Sequence, residues 1–151
     1  MKLEQAIQTT KFKNEQHKAT INILYTTYWL KTHVSSSMKQ YDITMEQFNV
    51  LRILRGRHPE KMCVKNIGSR MIEKSSNVPR IIDRLEAKKM VERVTSAEDK
   101  RESLISLTEK GLINLDLASK TLDEINARVI GITEEEAAVL NNLLDKMRKI
   151  D

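Results

Sequence analysis

The sequence predicts a mainly α-helical chain that carries a small β-sheet. Only four glycines and two prolines occur among 151 residues, and leucine, isoleucine and methionine are abundant. Apolar residues recur at helical spacing in long stretches at both ends of the chain. Between residues 63 and 110 the pattern is helix, turn, helix and a hairpin with a charged tip. This order predicts a winged helix-turn-helix flanked by long N- and C-terminal helices.

The first long helix is predicted from about Lys13 to Gln40. It carries two apolar stripes, which indicates two partners, its own core and a second subunit. The first stripe contains Ile21, Leu24, Tyr25, Tyr28 and Trp29, and the second contains Ile23, Leu30, Val34 and Met38.

The next helix is predicted to begin after Thr44. The Thr44 hydroxyl can accept from the amide of Gln47 while the Gln47 side chain reaches back, which makes a capping box. Apolar residues carry this helix to about Gly56. Residues 57–61 then form a loop, and residues 62–64 can add a short strand beside the hairpin.

The central helix-turn-helix is predicted from residues 64–85. A short helix over 64–72 is followed by a break at residues 73–74, and a second helix opens at Ser75. With Ser76 as N-cap, Pro79 takes the third helical position, where its missing amide is tolerated. Gly68 is expected to relieve a clash between the two helices. Strands are predicted over residues 90–95 and 103–107, with the charged tip over 97–102.

Two more helices complete the chain. We expect Gly131 to end the first of them in the left-handed conformation, and Thr133 to open the second with a capping box. The apolar face of the last helix contains Ala137, Leu140, Leu143, Leu144, Met147 and Ile150. The terminal helices carry more apolar surface than a small domain can cover, so we predict that they pack on their copies in a two-fold dimer. Residues 1–42 and 108–151 are thus assigned to a helical dimerisation region, intertwined in one domain with a DNA-binding region over residues 43–107.

The charge distribution indicates a polyanionic partner. The formal charge is +5, but residues 52–101 alone hold +7, and the rest of the chain holds −2. A basic patch of this kind neutralises phosphates and releases counterions. The alternative is an ordinary solvated basic face, and the coincidence of the charge with the helix-turn-helix favours double-stranded DNA.

Other classes of function find no support in the sequence. A single cysteine excludes an intrachain disulfide; Cys63 is expected to be a small buried hydrophobe, with a redox-active thiol as the open alternative. No apolar run approaches the roughly 18 residues of a membrane span, so we expect a cytoplasmic protein with no membrane partner. His17, His33 and His58 are scattered, and no nucleophile–base set or phosphate loop occurs. We therefore expect no metal, no cofactor and no enzymatic activity.

The candidate DNA contacts lie on the second helix of the motif and at the hairpin tip. A helical wheel predicts that one face of this helix packs on the core, with Val78, Ile81, Ile82 and Leu85 on it. Asn77, Arg80 and Arg84 then point outward. Arginine can donate two hydrogen bonds to guanine, and asparagine can pair with adenine, although phosphate contact is an equal alternative for each. The predicted DNA-binding residues are Ser75, Ser76, Asn77, Pro79, Arg80, Arg84, Asp99, Lys100 and Arg101.

These segments resemble the multiple antibiotic resistance regulator (MarR) family of dimeric bacterial transcription factors. The resemblance runs from about Ile21 to Met147 and rests on three pieces in order: Ile43-Thr44-x-x-Gln47, Ser75 to Glu86, and Asp99-Lys100-Arg101 followed by Leu107 to Gly111. It implies a homodimer with interlocked terminal helices that binds a near-palindromic operator. It also implies that Arg101 enters the minor groove and that Asp99 orients it.

Two departures and one possible effector site follow from the resemblance. The family usually has glycine where this chain has Lys89, so a left-handed Lys89 would be strained by about 1 kcal/mol or more; Ile67-Gly68 replaces the more usual Leu-Ala. Many relatives release DNA when a small aromatic anion binds beside the dimer helices. Tyr25, Trp29 and His33, together with Arg52, could line such a site, and ordinary packing of this stripe is the alternative.

The sequence thus predicts a transcriptional regulator, more specifically a homodimeric repressor that a small ligand releases. The alternative is a helical protein-interaction module whose winged helix does not read DNA. Such a module would bind its partner without salt dependence, and the +7 segment argues against it.

Overall fold

The computed structural model describes residues 1–148. The N-terminal part contains a short helix α1 (Leu3–Ala6), the long α2 (Glu15–Met38) with a 3-10 turn (Lys39–Tyr41), and α3 (Met45–Arg55). The centre contains β1 (Met62–Cys63), α4 (Val64–Arg70), α5 (Val78–Ala87), β2 (Val91–Thr95) and β3 (Ser103–Leu107). The C-terminal part contains α6 (Glu109–Val129) and α7 (Glu134–Met147). The predicted fold class is confirmed.

The three strands form one antiparallel sheet in the order β1-β3-β2. β2 and β3 make the hairpin, with Val91 opposite Leu107 and Thr95 opposite Ser103. β1 pairs with the other edge of β3 through Met62 and Cys63. The predicted short strand at residues 62–64 is therefore confirmed, and Cys63 is buried as expected.

The core lies where α2, α3, α5, α6 and the sheet meet. Its most fully buried side chains come from each of these elements: Met38, Leu51, Leu54, Ile82, Leu85, Ile105 and Leu115. On α2 only the C-terminal part of the second stripe is buried, at Val34 and Met38. The first stripe leaves Leu24 and Tyr28 66% and 69% exposed. The apolar face of α7 is likewise open within the single chain, so both faces remain available to a second subunit.

Local chemistry sets most of the helix ends. Thr44 with Gln47, and Thr133 with Glu136, form the two predicted capping boxes. The prediction for Gly131 is wrong: its φ is not positive, and α6 ends instead at Ile130 in extended backbone. A bend at Ile132 then leads to the next N-cap, Thr133. Ile150, predicted on the face of α7, lies outside the described residues.

The helix-turn-helix differs from its prediction in three details. α4 ends at Arg70, two residues early. The N-cap of α5 is Asn77 rather than Ser76, which places Pro79 at the second helical position. A Cβ on Gly68 would lie 3.7 Å from Val78 Cγ2, an ordinary contact, so the expected clash is absent.

Candidate nucleic-acid interface

Helix α5 separates a buried face from a basic outer face. Val78, Ile82 and Leu85 are buried, as the helical wheel predicts. Ile81, also predicted to face the core, is only partly buried, because it lies at the edge of the buried face. Arg80 and Arg84 are exposed on the outer side. Neither guanidinium forms an ion pair with any residue between 1 and 148. Both arginines are thus free to donate to an external acceptor.

The start of α5 opens into a shallow polar cleft of about 350 Å³. Its lining combines the residues just before and within α5 with the first turn of α3: Ser75, Ser76, Asn77, Arg80, Ile81 and Arg84 with Thr44, Glu46, Gln47 and Glu73. Ser76 Oγ is buried and has no hydrogen-bond partner in the described chain. Hydroxyls and arginines in one concavity suit a phosphate or a base edge.

Asn77 has a structural task that the sequence prediction assigned to Ser76. Its Oδ1 accepts a hydrogen bond of 3.2 Å from the amide of Arg80. A bidentate pair with adenine would use the same oxygen as an acceptor. The predicted adenine contact therefore requires this oxygen to accept a second hydrogen bond.

The turn between α4 and α5 is attached to three other helices. The amide of Ile72 donates to Asn49 Oδ1 of α3 at 3.0 Å, and Lys74 Nζ donates to the Ser69 carbonyl of α4 at 2.6 Å. Lys31 of α2 forms an ion pair with Glu73. The hydrogen bond to the Glu73 carboxylate raises the pKa of the Lys31 ammonium above its ordinary value. The turn that aims α5 is thus connected directly to α2.

The hairpin of β2 and β3 is the wing of this fold. Its tip carries three predicted DNA contacts, Asp99, Lys100 and Arg101. Asp99 Oδ1 accepts from the backbone amide of Arg101 at 2.9 Å and lies 3.7 Å from its Nε. The second distance is that of an ion pair, and it is too long for a hydrogen bond through which Asp99 would orient the guanidinium directly. The Arg101 side chain is 95% exposed, and Lys100 is exposed beside it. Asp99 therefore fixes the backbone at Arg101 while the guanidinium extends into solvent.

The four predicted effector residues do not meet at one cleft within the described chain. Tyr25 and Trp29 line a small cleft with Leu3 of α1. The Nδ1 of His33 donates to the Trp29 carbonyl at 2.8 Å, so this nitrogen is engaged within the helix. Arg52 lies instead on an apolar cleft of about 180 Å³ bounded by Phe48, Met71, Ile72, Leu122 and Lys31.

Three features of the interface escaped the sequence analysis. One is the Lys31–Glu73 ion pair, and another is the pairing of Arg93 with Asp83 and Glu86. The last is Gly111, which packs on the Met90 carbonyl. Of these features, only the contact of Arg93 could have been suspected from neighbouring residues, because Asp83 and Glu86 are two acids at spacing i,i+3 on α5.

Two further observations concern the described part of the chain. Within residues 1–148, no helix is both long and apolar enough to cross a membrane. The same residues contain no group of three histidine, cysteine, aspartate or glutamate side chains arranged to hold a metal ion.

Comparison with known proteins finds a family model and relatives that match this chain. The family model for the transcriptional regulator SarA/Rot matches residues 32–116. The HTH-type transcriptional regulator SarZ of Staphylococcus aureus strain USA300 is 32% identical over 116 residues, which cover 74% of each chain.

Solved structures show the same fold. A MarR-like transcription regulator from Bacillus cereus superposes with a TM-score of 0.78 at 25% identity, covering 89% of this chain and 96% of that one. The S. aureus MepR–DNA complex superposes with a TM-score of 0.76 at 23% identity, covering 91% and 97%. The fold expected from the sequence resemblance is therefore confirmed.

Proposed function

Because this chain belongs to the SarA/Rot family of helix-turn-helix transcriptional regulators, we propose that it acts as a homodimeric repressor of a near-palindromic operator. The observation that carries the proposal is the set of exposed arginines on α5 and at the wing tip. Arg80 and Arg84 extend from the outer face of α5 with no ion pair in the described chain, and Arg101 is 95% exposed at the wing tip. Exposed arginines on a +7 segment are what phosphate and base contacts require.

The two parts of the surface suit two grooves of one duplex. Helix α5 enters the major groove, where Arg80 and Arg84 reach guanine edges or phosphates. Ser75, Ser76 and the exposed Pro79 border the phosphate backbone at the start of this helix. At the wing, Lys100 meets phosphate and Arg101 enters the minor groove. The structural neighbour MepR was solved in complex with DNA, which supports this use of the fold.

The open apolar faces support a second copy as the partner. Leu24 and Tyr28 on α2 are 66% and 69% exposed, and Val139 and Leu143 on α7 are 59% and 55% exposed. A two-fold dimer buries one patch against its copy and closes without leaving a free face. Residues 1–42 and 108–151 supply this interface, and residues 43–107 read DNA. Acting on the chromosome of a bacterium places the protein in the cytoplasm.

The apolar cleft beside Arg52 is the best candidate for effector binding. It lies between α2, α3, α6 and the turn before α5, and Lys31 and Arg52 border its apolar lining. Glu46 and Glu73 also line the cleft, and Glu73 pairs with Lys31. Arg52 is therefore the cation that would meet the anionic group of a small aromatic molecule. Glu73 lines both this cleft and the polar cleft at the start of α5. A ligand bound in the apolar cleft would therefore act on the surface of α5 that contacts DNA. The cleft of Tyr25 and Trp29 is the second candidate.

Stoichiometry tests the dimer and its DNA complex together. We expect sedimentation equilibrium to give a dimer and a duplex titration to saturate at two chains per duplex. Leu143→Glu and Val139→Glu place charges in the proposed interface and are expected to give monomers that bind DNA far more weakly. Saturation at one chain per duplex, or a dimer unaffected by both substitutions, would count against the proposal.

A further inference from the structure

Arg93 joins the wing to the flank of helix α5. It lies in the middle of β2, opposite Ile105 of β3. Its Nη2 donates to Asp83 Oδ1, and its Nε lies 3.4 Å from Glu86 Oε2. The Arg93 side chain is 32% exposed, compared with 95% for Arg101, so it is held against the protein surface.

Asp83 lies beside the outward-facing arginines on α5, and Glu86 lies farther around the helix. Each residue advances a helix by about 100°, so Asp83 is about 60° from Arg80 and about 100° from Arg84. The same rotation places Glu86 farther around, on the side where β2 packs. Arg93 therefore connects the wing to α5 through these two acids, while Arg80 and Arg84 themselves form no ion pair in the described chain.

The wing beyond Arg93 is tied together as far as its tip. Ser96 is 6% exposed, and its Oγ accepts from the amides of Glu98 and Asp99 at 3.3 Å. Its own amide donates to the Glu102 carbonyl at 2.9 Å. Asp99 then accepts from the amide of Arg101. A continuous series of contacts thus leads from α5 through Arg93 and the hairpin to Arg101.

We propose that Arg93 is a positioning residue that fixes the wing against α5, so that Arg101 reaches DNA together with Arg80 and Arg84. The proposal rests on the function proposed above, because it assumes that α5 and the wing contact one duplex. An isolated exposed ion pair contributes little to structure. Arg93 differs because one planar guanidinium meets two carboxylates on a single helix, a geometry that a lysine ammonium does not reproduce.

Charge alone predicts a different outcome from positioning. If Arg93 served only to add positive charge, removing the two carboxylates would also strengthen DNA binding, because Asp83→Asn with Glu86→Gln raises the net charge by two. If Arg93 positions the wing, the same double substitution disconnects it. Arg101 would then contribute less to binding although the protein is more basic.

The test compares the effect of Arg101→Ala in five backgrounds. Kd for a mixed-sequence duplex of about 30 base pairs is measured by fluorescence anisotropy, and the ratio of Kd with and without Arg101→Ala is taken. The backgrounds are the natural sequence, Arg93→Gln, Arg93→Lys, the Asp83→Asn/Glu86→Gln pair, and Arg148→Gln. Arg148 is the control, because it is an arginine that forms an ion pair, in this case with Asp145, but it lies at the end of α7.

We expect a ratio of about ten in the natural and Arg148→Gln backgrounds, as for one groove contact. In the three variants of the Arg93 contact the ratio should fall to about two or less. Equal ratios in all five backgrounds would overturn the proposal while leaving the proposed function intact. A ratio of one in the natural sequence would contradict the wing contact itself, and a complete lack of DNA binding would contradict the proposed function. Thermal unfolding of each variant identifies any loss of folding, and the Asp83→Asn/Glu86→Gln pair tests the contact without altering the wing.

Discussion

Gly111 and the carbonyl of Met90 fit together only because residue 111 lacks a side chain. A Cβ atom there would stand well under 3.0 Å from the Met90 carbonyl oxygen, a distance that real Cβ atoms essentially never show. Gly111 lies in the first turn of α6, and Met90 precedes β2. The hydroxyl of Thr108, the N-cap of α6, also donates to the Lys89 carbonyl at 2.8 Å. The proposed dimerisation helix thus rests directly on the turn between α5 and the wing.

Gly111→Ala is expected to destabilise the protein by about 1–3 kcal/mol or more, because backbone must move to admit the methyl group. Urea unfolding measures the change. Gly68→Ala is the matched control, since its Cβ meets only Val78 Cγ2 at 3.7 Å. There we expect stabilisation of up to about 1 kcal/mol from helix propensity. Equal effects at both positions would contradict the packing described here.

Lys89→Gly is expected to stabilise the chain by about 1 kcal/mol, because Lys89 adopts the left-handed conformation without glycine's freedom from Cβ strain. Its φ is 59°. Lys89→Ala keeps the Cβ and should leave the free energy of unfolding nearly unchanged. If alanine and glycine stabilised equally, the gain would come from removing the charge and not from the backbone.

Asn77→Ala is expected to cost about 1 kcal/mol of stability, because it removes the side-chain oxygen that caps α5. Asn77→Ser restores a capping oxygen and should recover most of that loss in thermal unfolding. The same two proteins separate capping from base reading. If serine restores stability but not DNA affinity, Asn77 also contacts DNA; full recovery of both would limit it to the cap.

Arg80→Ala and Arg84→Ala are each expected to weaken DNA binding by roughly five- to 150-fold if the arginine contacts a base. Loss of preference at one base pair would mark a base contact. A salt slope lower by about 0.9 with unchanged preference would mark a phosphate contact. Arg57→Ala removes an arginine that is already paired with Glu60, and a comparable loss there would argue against a specific role for α5.

Local patterns predicted the parts of the fold that local chemistry controls. The capping boxes at Thr44 and Thr133 and the amphipathic α5 follow from residues a few positions apart. For Lys89 the family's usual glycine left two alternatives, a left-handed residue or a shifted turn, and the structure has the left-handed residue. The cap of α5 was misplaced, since Ser75, Ser76 and Asn77 are similar N-cap residues and no local signal selects Asn77 among them.

The remaining features depend on contacts between distant positions. Gly111 meets a carbonyl 21 residues earlier, and Lys31 pairs with Glu73 across 42 positions. The spacing of apolar residues along the sequence does not indicate which of these distant residues come into contact. The predicted effector residues separated for the same reason, because the sequence gives the face of α2 that holds Trp29 but not the element that packs against it.

The central claim is that two copies of the α5 and wing surface read one duplex symmetrically. Selection of bound duplexes from a random pool tests it most directly. We predict an inverted repeat whose half-sites are centred about 34 to 36 Å apart, one turn of DNA. Recovery of a single unrepeated site, or no enrichment above the starting pool, would contradict the claim.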